Sequence, residues 1–135
     1  MLSGILLNPI SLSSFSYTEN ISEIEKIKKE VLKYEDSDLI FSIIRVESNF
    51  NPRALSKKGA RGLTQIRPAI WHKELKEKKI IKTKEDYFKI ENNVAACNYI
   101  LTSLKKKYKH KKIILQKYSN DKNYYKKILK KERIK

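Results

Sequence analysis

Apolar residues recur at three- and four-residue steps along most of this chain, which is the spacing of amphipathic helices. Residues 22–34 predict a first helix, because Ser22 and Glu25 fit the S-x-x-E pattern of a helix N-terminus. Residues 38–46, DLIFSIIRV, are apolar nearly all round and predict a helix buried at the centre of the domain. No run keeps the two-residue period of a strand for long, so the fold class is mostly α.

The second half of the chain predicts three further helices, at residues 92–108, 112–118 and 121–131. Pro68 suits the first turn of a short helix, whereas residues 63–66 are too few to assign. Residues 72–86 are rich in lysine and are predicted to form a loop with one short helical turn.

A bent segment follows the predicted central helix directly. Four of the six Gly and Pro residues of the chain lie between residues 52 and 68, so the backbone there must turn sharply or approach a neighbour closely. Glu47 ends the helix on the same face as Ile40, Ile43 and Ile44. An apolar surrounding and the negative end of the helix dipole both disfavour the ionised carboxyl. Glu47 is therefore a candidate general acid, although a lone Glu at a helix end is more often simply solvated.

At 135 residues with 40% hydrophobic content, the chain predicts one folded domain. Residues 1–18 carry no charge and are predicted to be a leader, either a possible export signal or a disordered segment. Residues 19–135 would form the domain. The leader is too short and too broken by Asn8-Pro9 to span a membrane, so no transmembrane segment is expected.

Cysteine and histidine content argues against a metal site. Cys97 is the one cysteine, and His72 and His110 lie far apart without ligand spacing. We therefore expect no metal, solvated histidines, and a small buried thiol at Cys97. A catalytic thiol is the alternative, but no histidine is positioned in the sequence to activate it.

The net charge of +16 is concentrated at the C-terminal end, where residues 105–135 contain 14 Lys or Arg and two acids. Such a segment favours polyanions such as nucleic acid, an anionic membrane or an acidic cell-wall polymer. No nucleic-acid-binding motif accompanies the charge, so no specific nucleic acid is expected as a partner. Lysines that merely solvate helix faces are the simpler explanation.

The string from Ile43 to Pro68, I-I-R-V-E-S-N-F-N-P-x-A-x-S-x-x-G-A-x-G-L-x-Q-I-x-P, resembles the core of the lytic transglycosylase (SLT domain) and goose-type lysozyme family, glycoside hydrolase family 23. Weaker similarity continues to about Leu129. The resemblance implies a lysozyme-like single domain built around the buried central helix. It also implies a monomer without cofactors that acts on peptidoglycan glycan strands in the periplasm or cell envelope.

Carried over by position, the resemblance implies that Glu47 is the catalytic acid and base. It would cleave the β-1,4 bond between N-acetylmuramic acid and N-acetylglucosamine and leave a 1,6-anhydromuramyl end. The positions implied to bind substrate are Ser48, Gly62, Leu63, Thr64, Gln65, Ile66, Tyr118 and Tyr124.

The chain departs from the family pattern at several positions. Thr64 replaces the usual Met, Cys97 stands where Gly is usual, and residues 118–121, Tyr-Ser-Asn-Asp, replace the usual Tyr-Asn-x-Gly. These changes bear on how substrate is positioned more than on the acid. They motivate one alternative to the enzyme, a peptidoglycan-binding module with weak or no turnover. The positive charge of residues 105–135 motivates another, a basic nucleic-acid-binding protein.

Overall fold

The computed structural model of the protein describes residues 22–134, with side chains as far as residue 130. This part of the chain forms six α-helices and one 3-10 helix and contains no β-strand, which confirms the mostly α fold. The helices are α1 (22–31), α2 (Ser37–Ser48), α3 (Pro68–Glu77), the 3-10 helix (Lys84–Phe88), α4 (Ile90–Lys107), α5 (Lys111–Ser119) and α6 (Tyr124–Ile134). The predicted leader, residues 1–18, lies outside the described residues.

Helix α2 is the centre of the domain, as its apolar sequence predicts. Ile40, Ile43 and Ile44 are fully buried, and the helix packs against α4 and α6. Burial of one such side chain contributes about 1.5–3 kcal/mol relative to its exposed state. The helix ends where Asn49 adopts a left-handed conformation with φ of 49°.

The prediction of a loop with one short helical turn over residues 72–86 is correct only in part. Helix α3 extends to Glu77, and the 3-10 helix follows after a short turn. Leu75, Ile81 and Tyr87 are fully buried in this segment. Because these side chains pack into the core, the segment has a defined backbone conformation, although its lysine-rich composition suggests a solvated loop.

The expectation of a solvated His72 is wrong. His72 is partly buried on α3, and its Nδ1 lies 2.9 Å from the hydroxyl of Tyr87. The pair joins α3 to the 3-10 helix, so this histidine is part of the packing beside the core. His110, by contrast, is exposed between α4 and α5.

The remaining predicted helices are found with shifts of up to three residues at their ends. Pro68 lies in the first turn of α3, as expected from its missing N–H. Between residues 22 and 134, no helix is both long and apolar enough to cross a bilayer.

Candidate active site

A cleft of about 400 Å³ opens beside the C-terminal end of α2. Glu47 lies on one wall, and the turn that contains Ser56 to Ala60 forms another. Tyr118 and Asn120, at the end of α5, close the third side. The cleft therefore combines residues from the first half of the chain with residues about 60 to 70 positions later.

Glu47 is partly buried, as the pattern of α2 predicts, and its side chain borders the cleft. Loss of solvent raises the pKa of this carboxyl above its ordinary value. The hydroxyl of Tyr124 and the positive charges of Lys127 and Arg67 act in the opposite direction, and the negative charge of Asp121 adds to the increase. Burial is the largest of these effects, so the protonated form is favoured relative to a solvated glutamate.

Tyr118 and Tyr124 are stacked, with ring centroids 6.3 Å apart, and both rings are buried. The Tyr118 hydroxyl donates to the main-chain carbonyl of Thr64 at 3.0 Å and lies 3.4 Å from Sγ of Cys97. The Tyr124 hydroxyl is buried without a hydrogen bond of standard geometry. It lies near Glu47, whose negative charge, after burial, does most to raise the pKa of Tyr124.

Residues 59–66 form the glycine segment. It is supported by hydrogen bonds to Asn93 of α4, a fully buried side chain. Its Oδ1 accepts hydrogen bonds from the N–H and the hydroxyl of Thr64, at 3.0 and 2.6 Å. Its Nδ2 donates to the carbonyls of Arg61 at 3.1 Å and Tyr87 at 2.8 Å. All hydrogen-bonding capacity of this amide is used inside the protein, which fixes the floor of the site.

Gly62 must be glycine for two reasons. Its φ of +79° lies in the left-handed region, and a Cβ at this position would collide with the Tyr87 carbonyl and the Asn93 amide. The adjacent residues Leu63 and Thr64 are fully buried, and Ile66 is nearly so. These four predicted substrate-binding residues lie in the packed layer beneath the cleft and do not line it.

Gln65 does line the cleft. Its Nε2 donates to the carbonyls of Ala54 at 3.2 Å and Gly62 at 3.1 Å, which leaves its side-chain oxygen as the group that can accept from a ligand. Ser48 is next to Glu47 but donates back to the Ile44 carbonyl at 3.1 Å within its own helix.

Strained backbone surrounds Glu47. Asn49, Phe50, Gln65 and Asn120 have φ between 49° and 67°, a region that residues other than glycine seldom occupy. Such conformations persist only where the surrounding structure enforces them, and they are concentrated at functional sites. Here Asn49 and Asn120 end α2 and α5, and Gln65 lines the cleft, whereas Lys79, with φ of 62°, does not line it.

The motif did not identify several residues that border the site. Lys57, Lys58 and Arg67 bring positive charge to the cleft, and Ser119 and Asn120 reach it from α5. The variable positions of the 43–68 string gave no reason to select the first three. The C-terminal pair could be found only by knowing how α5 packs.

A larger depression of about 870 Å³ lies away from Glu47, between the N-terminal end of α2 and the C-terminal end of α4. None of the predicted site residues line it, so size alone does not identify the site. No group of three or more His, Cys, Asp or Glu side chains within the described part of the chain is arranged to hold a metal ion.

Comparison with known proteins identifies the family of the chain. Residues 25–134 match the family model described as the transglycosylase SLT domain. No curated protein and no solved structure matches the chain. SLT domains are associated with lytic transglycosylase activity on peptidoglycan in the cell envelope. Because the match covers most of the chain, this protein belongs to the transglycosylase SLT domain family.

Proposed function

We propose that this protein is a peptidoglycan lytic transglycosylase in which Glu47 is both the general acid and the general base. One observation carries the proposal: among the described residues that line the cleft, Glu47 is the one acid, and burial raises its pKa. A proton donor at near-neutral pH needs such a shift. The family supplies the substrate class, and the proposal places the protein in the periplasm or elsewhere in the cell envelope.

In the proposed reaction, Glu47 donates its proton to the oxygen that bridges N-acetylmuramic acid and N-acetylglucosamine. The bond from that oxygen to the muramyl C1 breaks, and the oxygen of the 2-acetamido group stabilises the cationic carbon. The Glu47 carboxylate then accepts the proton of the muramyl 6-hydroxyl, whose oxygen bonds to C1. The product is a 1,6-anhydro end, and no water is consumed.

A single carboxyl suffices for this route because the substrate itself supplies the nucleophile. Asp121 is the other acid near Glu47, but hydrogen bonds and charge keep it ionised. Its Oδ1 accepts the Asn123 N–H at 2.9 Å, its Oδ2 accepts from Lys127 at 3.0 Å, and both contacts lower its pKa. Asp121 is therefore unsuited to proton donation. As an ionised carboxylate it could act only as a second base or nucleophile, and it does not line the cleft, so a two-carboxylate mechanism has less support.

Digestion of purified sacculi, followed by mass spectrometry of the released sugar ends, tests the proposal. The native protein is expected to release anhydromuramyl ends, which are lighter than hydrolysed ends by one water. Glu47→Gln keeps the shape of the side chain but removes the proton donor, so the rate is expected to fall by about 10²–10⁴-fold or more. Equal release by both proteins would reject Glu47 as the acid, and hydrolysed ends would indicate a lysozyme reaction instead.

A wall-binding module with little turnover is the second candidate. Its support is that the Tyr118 hydroxyl already donates to the Thr64 carbonyl, so it is not free to donate to a bound acetamido group or to Glu47. Sacculus binding by the native protein without any released product would favour this candidate.

A further inference from the structure

Three positive side chains border the cleft, and none of them forms a salt bridge with a side chain that the structure describes. They are Lys57, Lys58 and Arg67. Other cations of this protein do form a salt bridge, such as Lys89 with Asp86 at 3.0 Å and Lys127 with Asp121 at 3.0 Å. The cleft is therefore a positively charged surface next to a single acid, Glu47.

The two lysines project from a backbone turn with a fixed course. Ser56 N–H donates to the Ala60 carbonyl at 2.9 Å, and Gly59 N–H donates to the Ser56 carbonyl at 3.0 Å. The Ser56 hydroxyl also accepts the Ala60 N–H at 2.9 Å. Because the backbone is ordered, Lys57 and Lys58 are presented to the cleft with less loss of chain entropy on binding than a mobile loop would require.

Arg67 is close to the proposed point of reaction, since its positive charge lowers the pKa of Glu47. A ligand that contacts Arg67 therefore extends toward the acid, and one that contacts Lys57 and Lys58 occupies the opposite wall. An uncharged glycan strand offers these three side chains hydrogen-bond acceptors but no negative charge. Peptidoglycan strands carry short peptides on muramic acid, and these have free carboxylates on acidic side chains and at their C-termini.

We infer that Lys57, Lys58 and Arg67 form a subsite for the carboxylates of the peptides attached to the glycan strand. This inference rests on the proposed function and adds a substrate preference to it: strands with ionised peptides are cleaved faster than strands whose peptides are uncharged. Exposed ion pairs are individually weak, so the preference is moderate in size.

The test compares two substrates that differ only in charge. One is peptide-bearing strands, and the other is the same strands after carbodiimide-coupled amidation of their peptide carboxylates. The native protein is expected to cleave the first about 3- to 10-fold faster at low salt, and the ratio should decline as salt screens the charges. In Lys57→Gln/Lys58→Gln the ratio should approach one, and Arg67→Gln should reduce it in the same direction.

Lys106→Gln/Lys107→Gln is the matched control. This pair is also adjacent and exposed, at the C-terminal end of α4, and it does not line the cleft. The control removes the same charge, so it should keep the ratio of the native protein. A fall in the ratio equal to that of the cleft variant would mean that overall charge, not a subsite, sets the preference, and would overturn the inference.

Equal rates of the native protein on both substrates would also overturn the inference while leaving the proposed reaction intact. If neither substrate is cleaved, the proposed reaction fails. The subsite is then decided by the affinity of the native protein and the cleft variant for soluble peptide-bearing fragments with and without amidation. Inhibition by inorganic phosphate with no effect of amidation would assign the cations to phosphate-bearing polymers and reject the peptide assignment.

Discussion

Asn93 holds Thr64 through two hydrogen bonds to the same oxygen, from the main-chain N–H at 3.0 Å and from the side-chain hydroxyl at 2.6 Å. The two residues are 29 positions apart, and both are fully buried. Thr64 lies between Gly62 and Gln65, so Asn93 fixes the position of the backbone beneath the cleft. The sequence departure from Met to Thr at position 64 is thus matched by a polar partner on α4.

Substitution Asn93→Ala is expected to lower the free energy of unfolding by about 2–4 kcal/mol, because it leaves several buried donors and acceptors without partners. Chemical denaturation measures this change. Asn98→Ala is the control, since Asn98 is on the same helix, is partly exposed and makes no side-chain hydrogen bond among those described. Similar losses in both variants would show that Asn93 has no special part in stability.

The two glycines of the bent segment should respond differently to alanine. Gly62→Ala combines an unfavourable φ of +79° with a collision against main chain, and it is expected to destabilise the protein by more than about 3 kcal/mol or to prevent folding. Gly59→Ala meets open space, so its left-handed φ of +88° alone should cost about 1–2 kcal/mol. Thermal unfolding of both variants checks the order, and a Gly59 variant less stable than the Gly62 variant would contradict it.

The hydroxyls of the stacked residues Tyr118 and Tyr124 are both buried, but only that of Tyr118 makes a hydrogen bond of standard geometry. Tyr118→Phe leaves the Thr64 carbonyl without its donor and is expected to lower the free energy of unfolding by about 1–2 kcal/mol. The Tyr124 hydroxyl lies beside Glu47 but makes no hydrogen bond of standard geometry, so Tyr124→Phe should lower stability less than Tyr118→Phe does. Denaturation midpoints that fall equally in both variants would refute the distinction.

Activity should depend on pH through Glu47. The protonated fraction of the acid falls as pH rises through its pKa, and burial raises that pKa, so activity should persist to higher pH than a solvated glutamate would allow. Lys127→Gln removes a charge that lowers the pKa of Glu47 and also releases Asp121, whose negative charge raises it. Both effects should move the alkaline limb of the pH–rate profile upward by roughly a few tenths of a pH unit.

Lys126→Gln is the control for this shift. Lys126 is the neighbouring exposed lysine of α6, and its charge is not among those that act on Glu47. Its variant should keep the alkaline limb of the native protein. A downward shift in Lys127→Gln, or an equal upward shift in both variants, would contradict the electrostatic account of Glu47.

The central helix and the position of Glu47 could be predicted because local pattern determines them. Residues 38–46 have too many apolar side chains for any surface helix, and the spacing from Ile40 to Glu47 fixes the face on which the acid lies. The end of the helix was also predictable, because Pro52 follows closely and the glycines signal a turn. The full length of helix α3 was not predicted, because one buried residue, Leu75, anchors a segment that is otherwise lysine-rich.

The other parts of the cleft depend on contacts between distant segments. The sequence contains no local signal that the amide of Asn93 supports residue 64 or that Asn120 borders the same cleft as Glu47. The resemblance selected Leu63, Thr64 and Ile66, but their burial beneath the cleft follows from how α4 and α5 pack. The role of these three residues in substrate binding stays a prediction.

Cys97 of α4 is also fully buried, and burial raises the pKa of its thiol to about 12. A thiol in this state reacts with alkylating reagents or oxidants only when the domain opens. Its labelling rate in the native protein therefore measures the frequency of that opening, without any added probe. Because no other cysteine occurs in the chain, the rate at which the singly modified protein appears in a mass spectrum would report how often the domain around the cleft opens.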